Sequence, residues 1–465
     1  MNLHLSPPRQ PMPGNVWHFL LNVALAFGMM LLTWMHGLDF LRSESPLTPS
    51  ESTLLLVGPD RSFAQRGDPH PVHAWIELLN QKADQPPLLA NRLLSLAASL
   101  GSLWVMASLL VRQTHWLSAT ACCVLFLILP GMALQGLSAA GGSLGVWLFL
   151  LALSACARTE GRGRIPFAGV CVALATFLHP AWFFPALGIP LGLWETDRRK
   201  PLQFLGAWAA SLLPLLALGA WMDWTWFAHN LPVGPLPETA RARDLLPLPQ
   251  LALRFLPLAA GLPLMLWLGR DRRGVGWWTL LMALPPALLA NRFFTEPVHG
   301  LLPLLVFLLL GLVRLPMLLG IRFPGTYQSV FGLQGLLWVS VYLGTATWAP
   351  FPGPRQATDA RAWSALKSRI RDAPGPVLGN AGIVSRLHRL AWVYRVRDLA
   401  GDKAARQRVE TALANGSIAY VLLREDGDPL PPDLARLVHE HYEPAGGDAG
   451  FVLWTPATLP APSAP

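Results

Sequence analysis

The chain has 465 residues, of which 52% are hydrophobic and only 14% charged, against about a quarter charged in an ordinary soluble domain. A soluble protein of this make-up would need an implausibly large dry core, so composition places the chain in a membrane. The net charge of +9 lies mostly in short gaps between apolar runs, which argues for membrane orientation and against nucleic-acid binding.

The first apolar run, Trp17 to His36, is long enough to span and has no small-residue cleavage pattern after it, so it is read as a retained helix. A polar region follows from Gly37 to Pro87, too long for a mere connector. It ends in an amphipathic stretch, Val72 to Leu79, suited to lying along a membrane surface. Further apolar runs fall near 88–111, 116–137, 143–157, 166–179, 181–194, 201–222, 249–269, 275–290, 300–318 and 327–348. With the first, this makes about eleven transmembrane segments. The fifth and sixth are too short for two full spans and are interrupted at His179-Pro180, as in a broken or re-entrant pair. His179 itself is expected on the cytoplasmic or central side, as a helix-packing residue.

Basic residues occupy alternate gaps: Arg112, then Arg158, Arg162 and Arg164, then Arg198, Arg199 and Lys200, then Arg270, Arg272 and Arg273, then Arg314 and Arg322. The positive-inside rule makes that side cytoplasmic. Starting inside, an odd number of crossings then leaves the C-terminal tail outside. Cys122, Cys123, Cys156 and Cys171 all lie in apolar segments without metal-like spacing and are expected to pack as small hydrophobes.

From about Pro350 the composition becomes that of a small α/β unit. Strand-like runs at Pro376–Leu378, Ile418–Leu423 and Phe451–Trp454 alternate with helical patterns near Arg361–Arg371, Asp402–Ala414 and Pro431–His441. The stretch Gly379-Asn380-Ala381-Gly382 follows a strand, and ordinary turn chemistry is the expected reading. The chain thus divides into a transmembrane domain over 1–349 with its first outer loop at 37–87, an extracytoplasmic α/β domain over 350–456, and a Pro- and Ala-rich tail over 457–465, of disordered composition.

Candidate chemistry sits in the outer polar regions. A carboxylate held at the membrane face can act as a general base, and the first loop offers Glu51, Asp60 and Asp68 among others. Asp68, His70 and His73 form an oxygen and nitrogen cluster compatible with a divalent metal, although Pro69 and Pro71 favour an extended backbone that spreads them. Arg92 at the start of the second span and Arg292 in a short outer loop suit a phosphate, because a guanidinium fork donates two hydrogen bonds at once.

The order of these pieces resembles the membrane-embedded glycosyltransferases of the C superfold, in the bacterial branch related to protein mannosyltransferases and the lipid A aminoarabinose transferase. The corresponding pieces are SESTLLLV at Ser50–Val57, DPHPVHAW at Asp68–Trp75, NRLLSLAASLG at Asn91–Gly101, ATFLHPAWFF at Ala175–Phe184 and NRFF at Asn291–Phe294. They cover residues 17–350. Where the family places an Asp-Glu pair, this chain has Ser50-Glu51, and the family's His-Pro-Pro segment reads His70-Pro71-Val72. The resemblance implies inverting transfer of a sugar from a polyprenyl-phosphate carrier to a glycan, lipid or protein acceptor at the outer face of a bacterial cytoplasmic membrane. In that scheme Asp60, Asp68 or Glu51 is the base, and Arg292 with Arg92 receives the leaving phosphate. His70 and His73 would hold a metal or the acceptor, and no other cofactor is implied. Two other classes fit the sequence in part: a non-catalytic envelope-assembly subunit that has lost the first carboxylate at Ser50, and a transporter, against which stand a single broken pair with no matching second half and few charges at mid-span.

Overall fold

The computed structural model describes residues 51, 54–55, 70–83, 88–110, 122–123, 126, 142–157, 163–222, 262–263, 265–267, 274–288, 297–312, 370, 375–380, 384, 393–399, 403–424, 427–448 and 450–457. Its first part is a helical bundle. In chain order the helices are α1 (Pro71–Lys82), α2 (Leu89–Leu110), α3 (Gly142–Ala157), α4 (Arg164–Leu178), α5 (Phe183–Trp194), α6 (Arg199–Met222), α7 (Val275–Met282), α8 (Leu284–Leu288) and α9 (Pro297–Leu312). Among the described residues α2 and α6 are long and apolar enough to cross a membrane, while α3, α4, α7 with α8, and α9 are shorter apolar helices. The described bundle is that of an α-helical membrane protein. The expected spans near 17–36 and 327–348 lie outside the described residues, and only parts of those near 116–137 and 249–269 fall within them.

The break between α4 and α5 has a local cause. Pro180 pushes His179 out of the helical region to φ −152°, ψ 112°, and a 3₁₀ turn at Pro180–Trp182 restarts the chain. Trp182 then fills the centre of the bundle, stacked on Phe149 at 4.9 Å and edge-on to Phe307 at 6.5 Å. A side chain at Gly145 of α3 would collide with its indole. Gly188 and Gly192 of α5 form a small-xxx-small stripe against the backbone of α7. A Cβ at Gly188 would lie 2.6 Å from the Thr279 Cα. The four cysteines are buried as free thiols, in line with their expected packing role.

Helix directions sort the bundle into two ends. At one end α4 begins at Arg164, α5 ends beside Glu195, α6 begins at Arg199, and α7 begins at Val275 against Gly192. Trp278 Nε1 donates to Glu195 there at 3.0 Å. At the other end α1 meets the start of α2, Ser143 of α3 donates to the Ser95 carbonyl at 3.0 Å, and Trp221 of α6 lies 6.4 Å from Trp75. Phe177, two residues before His179, meets His70 edge-on at 4.4 Å. The expectation for His179 is therefore corrected: the α4–α5 turn shares the end of the first loop, away from the basic residues, because α4 starts at Arg164 and runs the full depth of the bundle.

The C-terminal unit is a five-stranded sheet in the order β2-β1-β3-β5-β4, made of β1 (Val377–Gly379), β2 (Val393–Arg395), β3 (Tyr420–Arg424), β4 (Tyr442–Asp448) and β5 (Phe451–Pro456). The first three pair in parallel and the last two add antiparallel. Helices α10 (Val396–Leu399), α11 (Lys403–Ala414) and α12 (Pro432–His441) supply Val409, Leu413, Leu434 and Val438 to its core. The Tyr442 hydroxyl donates to the Ile418 carbonyl at 3.1 Å, and burial raises its pKa to about 12. Strand order reverses at β1, so the crevice between β1 and β3 is where such a sheet takes ligands. Here Asn380 occupies it: its Nδ2 donates to the Arg424 carbonyl and its Oδ1 accepts the Arg424 N–H, both at 2.8 Å. Gly427 packs directly on that amide. Asn380 thus ties the end of β1 to the end of β3, while Ala381 and Gly382, the rest of the expected turn, lie outside the described residues.

Candidate functional site

The polarity of α1 is inside out. Its buried face carries His73, Glu77 and Asn80, while Trp75 and Leu79 stand outward, Leu79 with 63% of its surface exposed. The pattern continues on α2, where Asn91, Arg92, Ser95, Ser99 and Ser102 are buried and Leu93 and Trp104 face out. In water this arrangement would be costly; with lipid outside and a polar interior it is the favourable one. The two helices therefore turn polar side chains inward at the end of the bundle opposite the starts of α4 and α6 at Arg164 and Arg199.

A buried ion pair joins the start of α2 to residue 51 of the first loop. Arg92 Nε donates to Glu51 Oε1 at 2.8 Å, with the two side chains 1% and 0% exposed. A buried guanidinium tolerates this environment only beside a carboxylate, and each charge neutralises the other. The corner between α1 and α2 is fixed by a second carboxylate. Both oxygens of Glu77 accept the Leu88 N–H, at 3.2 and 3.0 Å. Leu88 adopts φ +63°, a left-handed conformation that costs a non-glycine residue about 1–2 kcal/mol. Its side chain is held in an apolar cluster with Leu54, Leu55 and Ala74.

His70 caps α1: its Nδ1 accepts the Val72 N–H at 3.2 Å, and Pro71 opens the helix, where no amide hydrogen is needed. His73 lies one turn on, with Nδ1 2.9 Å from Asn91 Oδ1, while Asn91 Nδ2 donates to the His73 carbonyl at 3.0 Å. Burial, with the neighbouring His73 adding to it, lowers the His70 pKa from 6.5 to about 3. Burial also lowers that of His73, against a smaller opposing effect of Asn91. Both rings are neutral at physiological pH.

Of the residues singled out in the sequence, Glu51 and Arg92 are brought together, and His70 and His73 adjoin on α1. Asp60, Asp68 and Arg292 lie outside the described residues. No group of three or more metal-type side chains converges among the described residues. The His70 ring also suits a cation poorly, because the Val72 N–H occupies its Nδ1 lone pair and leaves the proton of the neutral ring on Nε2. Sequence reasoning did not assign roles to Asn91, Glu77, Ser95 or Ser99. The available signal was a column of polar residues at helical spacing, 91, 95, 99 and 102, on one side of an otherwise apolar span.

No family model matches the chain, and no curated protein matches it in sequence. Solved structures do match its fold. ArnT from Cupriavidus metallidurans bound to undecaprenyl phosphate superposes with a TM-score of 0.58 at 15% identity, covering 93% of this chain and 97% of that one. The apo state of the same transferase gives 0.59 at 13% identity, over 95% and 98% of the two chains. The chain therefore shares its overall fold with that membrane-embedded transferase.

Proposed function

We propose that this chain transfers a sugar from a polyprenyl-phosphate carrier to an acceptor at the outer face of the cytoplasmic membrane. The observation that carries this reading is the buried polar face of α1 and α2, with its Glu51–Arg92 pair. It sits in the fold of a transferase solved with undecaprenyl phosphate bound. A lipid-linked donor needs such a place: the prenyl tail stays in the apolar surroundings while the sugar phosphate enters polar surroundings at membrane depth. Basic residues gather at the opposite end of the bundle, which supports an outer-face site, a bacterial inner-membrane location and a periplasmic C-terminal sheet.

In this mechanism Asp60 or Asp68 takes the proton from the acceptor hydroxyl as its oxygen attacks the anomeric carbon from the face opposite the phosphate. The bond from that carbon to the phosphate oxygen breaks, and the phosphate leaves on its lipid. Arg92 and Arg292 stabilise the charge it gains. Glu51, bound to Arg92, serves as the counter-ion that orients the guanidinium, which is why the base is assigned to the other two acids. The alternative of a non-catalytic subunit rests on Ser50 in place of the first acid. Asp60→Asn with Asp68→Asn distinguishes them: transfer should fall on the order of a hundred-fold or more with the protein still folded in the membrane. Accumulation of an unconsumed lipid-linked sugar in a deletion strain should accompany it. Full activity of the double variant would remove the loop acids from the mechanism.

A further inference from the structure

Two neighbouring imidazoles at the head of α1 present opposite polarities, and their own hydrogen bonds dictate this. Asn91 Nδ2 is committed to the His73 carbonyl, so the amide oxygen faces the His73 ring. Nδ1 of that ring therefore carries the hydrogen and Nε2 holds a bare lone pair. His70 is set the other way, because its Nδ1 accepts the Val72 N–H and its neutral ring carries the hydrogen on Nε2. The His73 N–H donates to the His70 carbonyl at 2.9 Å, which keeps the two residues in one helical turn.

His73 Nε2 is fully buried and has no hydrogen-bond partner, although the ring is otherwise oriented with care. Ser95 and Ser99 Oγ, one and two turns along α2 from Asn91, are buried and equally without partners. Buried polar atoms are nearly always completed by something, so an orphaned acceptor on a ring held this firmly points to a partner that is absent from the protein itself. The bare lone pair of His73 repels an anion, and the N–H of His70 repels a cation. A hydroxyl group both donates and accepts, and it matches the two rings together.

We propose that His73 Nε2 accepts a hydrogen bond from a substrate hydroxyl, with Asn91 as the positioning residue that fixes the ring. The inference rests on the transferase reading and adds to its phosphate recognition a subsite for neutral polyol. The hydroxyl belongs to the sugar of the lipid-linked donor or to the acceptor; the chemistry is the same for both.

The test uses the full chain in nanodiscs, labelled with ¹⁵N-histidine. The probes are undecaprenyl phosphate, undecaprenyl phosphate carrying glucose or arabinose, and an envelope lipid extract freed of polyprenyl lipids. The His73 Nε2 resonance, assigned by its loss in His73→Gln, should be that of an unprotonated ring nitrogen and should shift when a hydroxyl donates to it. Bare undecaprenyl phosphate should leave it in place. A shift with the sugar-linked lipids assigns the donor hydroxyl, and a shift with the envelope extract alone assigns the acceptor. In the donor case, His73→Phe should weaken binding of the sugar-linked lipid about tenfold, with affinity for bare undecaprenyl phosphate unchanged. His73→Gln, which keeps an acceptor oxygen, should recover part of the loss. An Nε2 resonance unmoved by every probe overturns the proposal whatever the transfer assay gives, as does equal loss of bare and sugar-linked lipid in His73→Phe. Failure of the wild-type chain to bind any polyprenyl lipid or to transfer sugar, with Nε2 still answering the envelope extract, overturns the transferase reading and leaves the hydroxyl subsite standing.

Discussion

Glu51 and Arg92 provide a direct measure of how dry the buried polar face of α1 and α2 is. Arg92→Met leaves a carboxylate at a position with 0% exposure, and Glu51→Gln leaves a guanidinium at 1%. Removing one member of a buried pair takes the counter-ion from the other, at a cost of about 3–5 kcal/mol, whereas exchanging both members for groups of similar volume is close to neutral. The double variant Glu51→Gln/Arg92→Met should therefore lie nearer the wild type than either single variant. The coupling between the two changes should be on the order of 3 kcal/mol. Reversible unfolding in mixed detergent micelles, followed by tryptophan fluorescence, measures all four proteins. Activity should not follow stability, because the double variant regains its fold but lacks the guanidinium that the proposed mechanism sets against the donor phosphate. Single-variant losses below about 1 kcal/mol, the range of exposed pairs, would mean that the pair is solvated. Strict additivity would mean that the two residues do not meet, and either result would refute the reasoning.

Three further outcomes are expected. Reporter fusions after Gly58, Leu236 and Pro374 should read outside and fusions after Arg162, Lys200 and Arg272 inside; an inside reading at Pro374 would put the C-terminal sheet on the wrong side. Arg292→Lys should clearly weaken use of polyprenyl-phosphate-sugar and Arg292→Ala more so, since a charge-assisted hydrogen bond contributes about 1.5–3 kcal/mol; turnover against donor concentration separates this from a headgroup anchor, which would tolerate lysine. Gly188→Val should force α5 from the α7 backbone, 2.6 Å from the place of its new Cβ, and lower stability by about 1–3 kcal/mol in the same micelle assay; an unchanged transition would mean that the helices part easily.

What the sequence disclosed and what it hid follow from the range of the interactions. Helix ends at Leu89, Gly142, Arg164 and Arg199 lie within two residues of expectation, because the loss of hydropathy and the basic residues beside it are local signals. The break at His179-Pro180 was legible for the same reason. In the C-terminal sheet the runs at β1, β3 and β5 were visible, whereas β2 and β4 were not. Val393–Arg395 is three residues long, and Tyr442–Asp448 contains Pro444, Gly446 and Gly447 on an exposed edge with a register shift. Neither carries alternation. Candidate chemistry was readable as residue types, but its geometry was not. Glu51 and Arg92 meet across 41 positions and His73 and Asn91 across 18, and no local pattern encodes such pairings. The reversed polarity of α1 also works against ordinary hydropathy reasoning, since its buried side is the polar one.

That reversal bears on how the protein assembles. When α1 leaves the ribosome its polar face has no partner, because Asn91 and the Leu88 amide lie further along the chain. Alone, the segment can only rest at the bilayer surface on Trp75 and Leu79. Once α2 is inserted, the Glu77 clamp on Leu88 spans 11 positions and the His73–Asn91 contact 18, so the corner can close as a short loop at small entropic cost. The Glu51–Arg92 pair spans 41 and must close after it. These contacts thus run from a local corner to a distant charge pair within the first two described helices, whereas the packing of Phe177 on His70 and of Ser143 on the Ser95 carbonyl waits for α3 and α4.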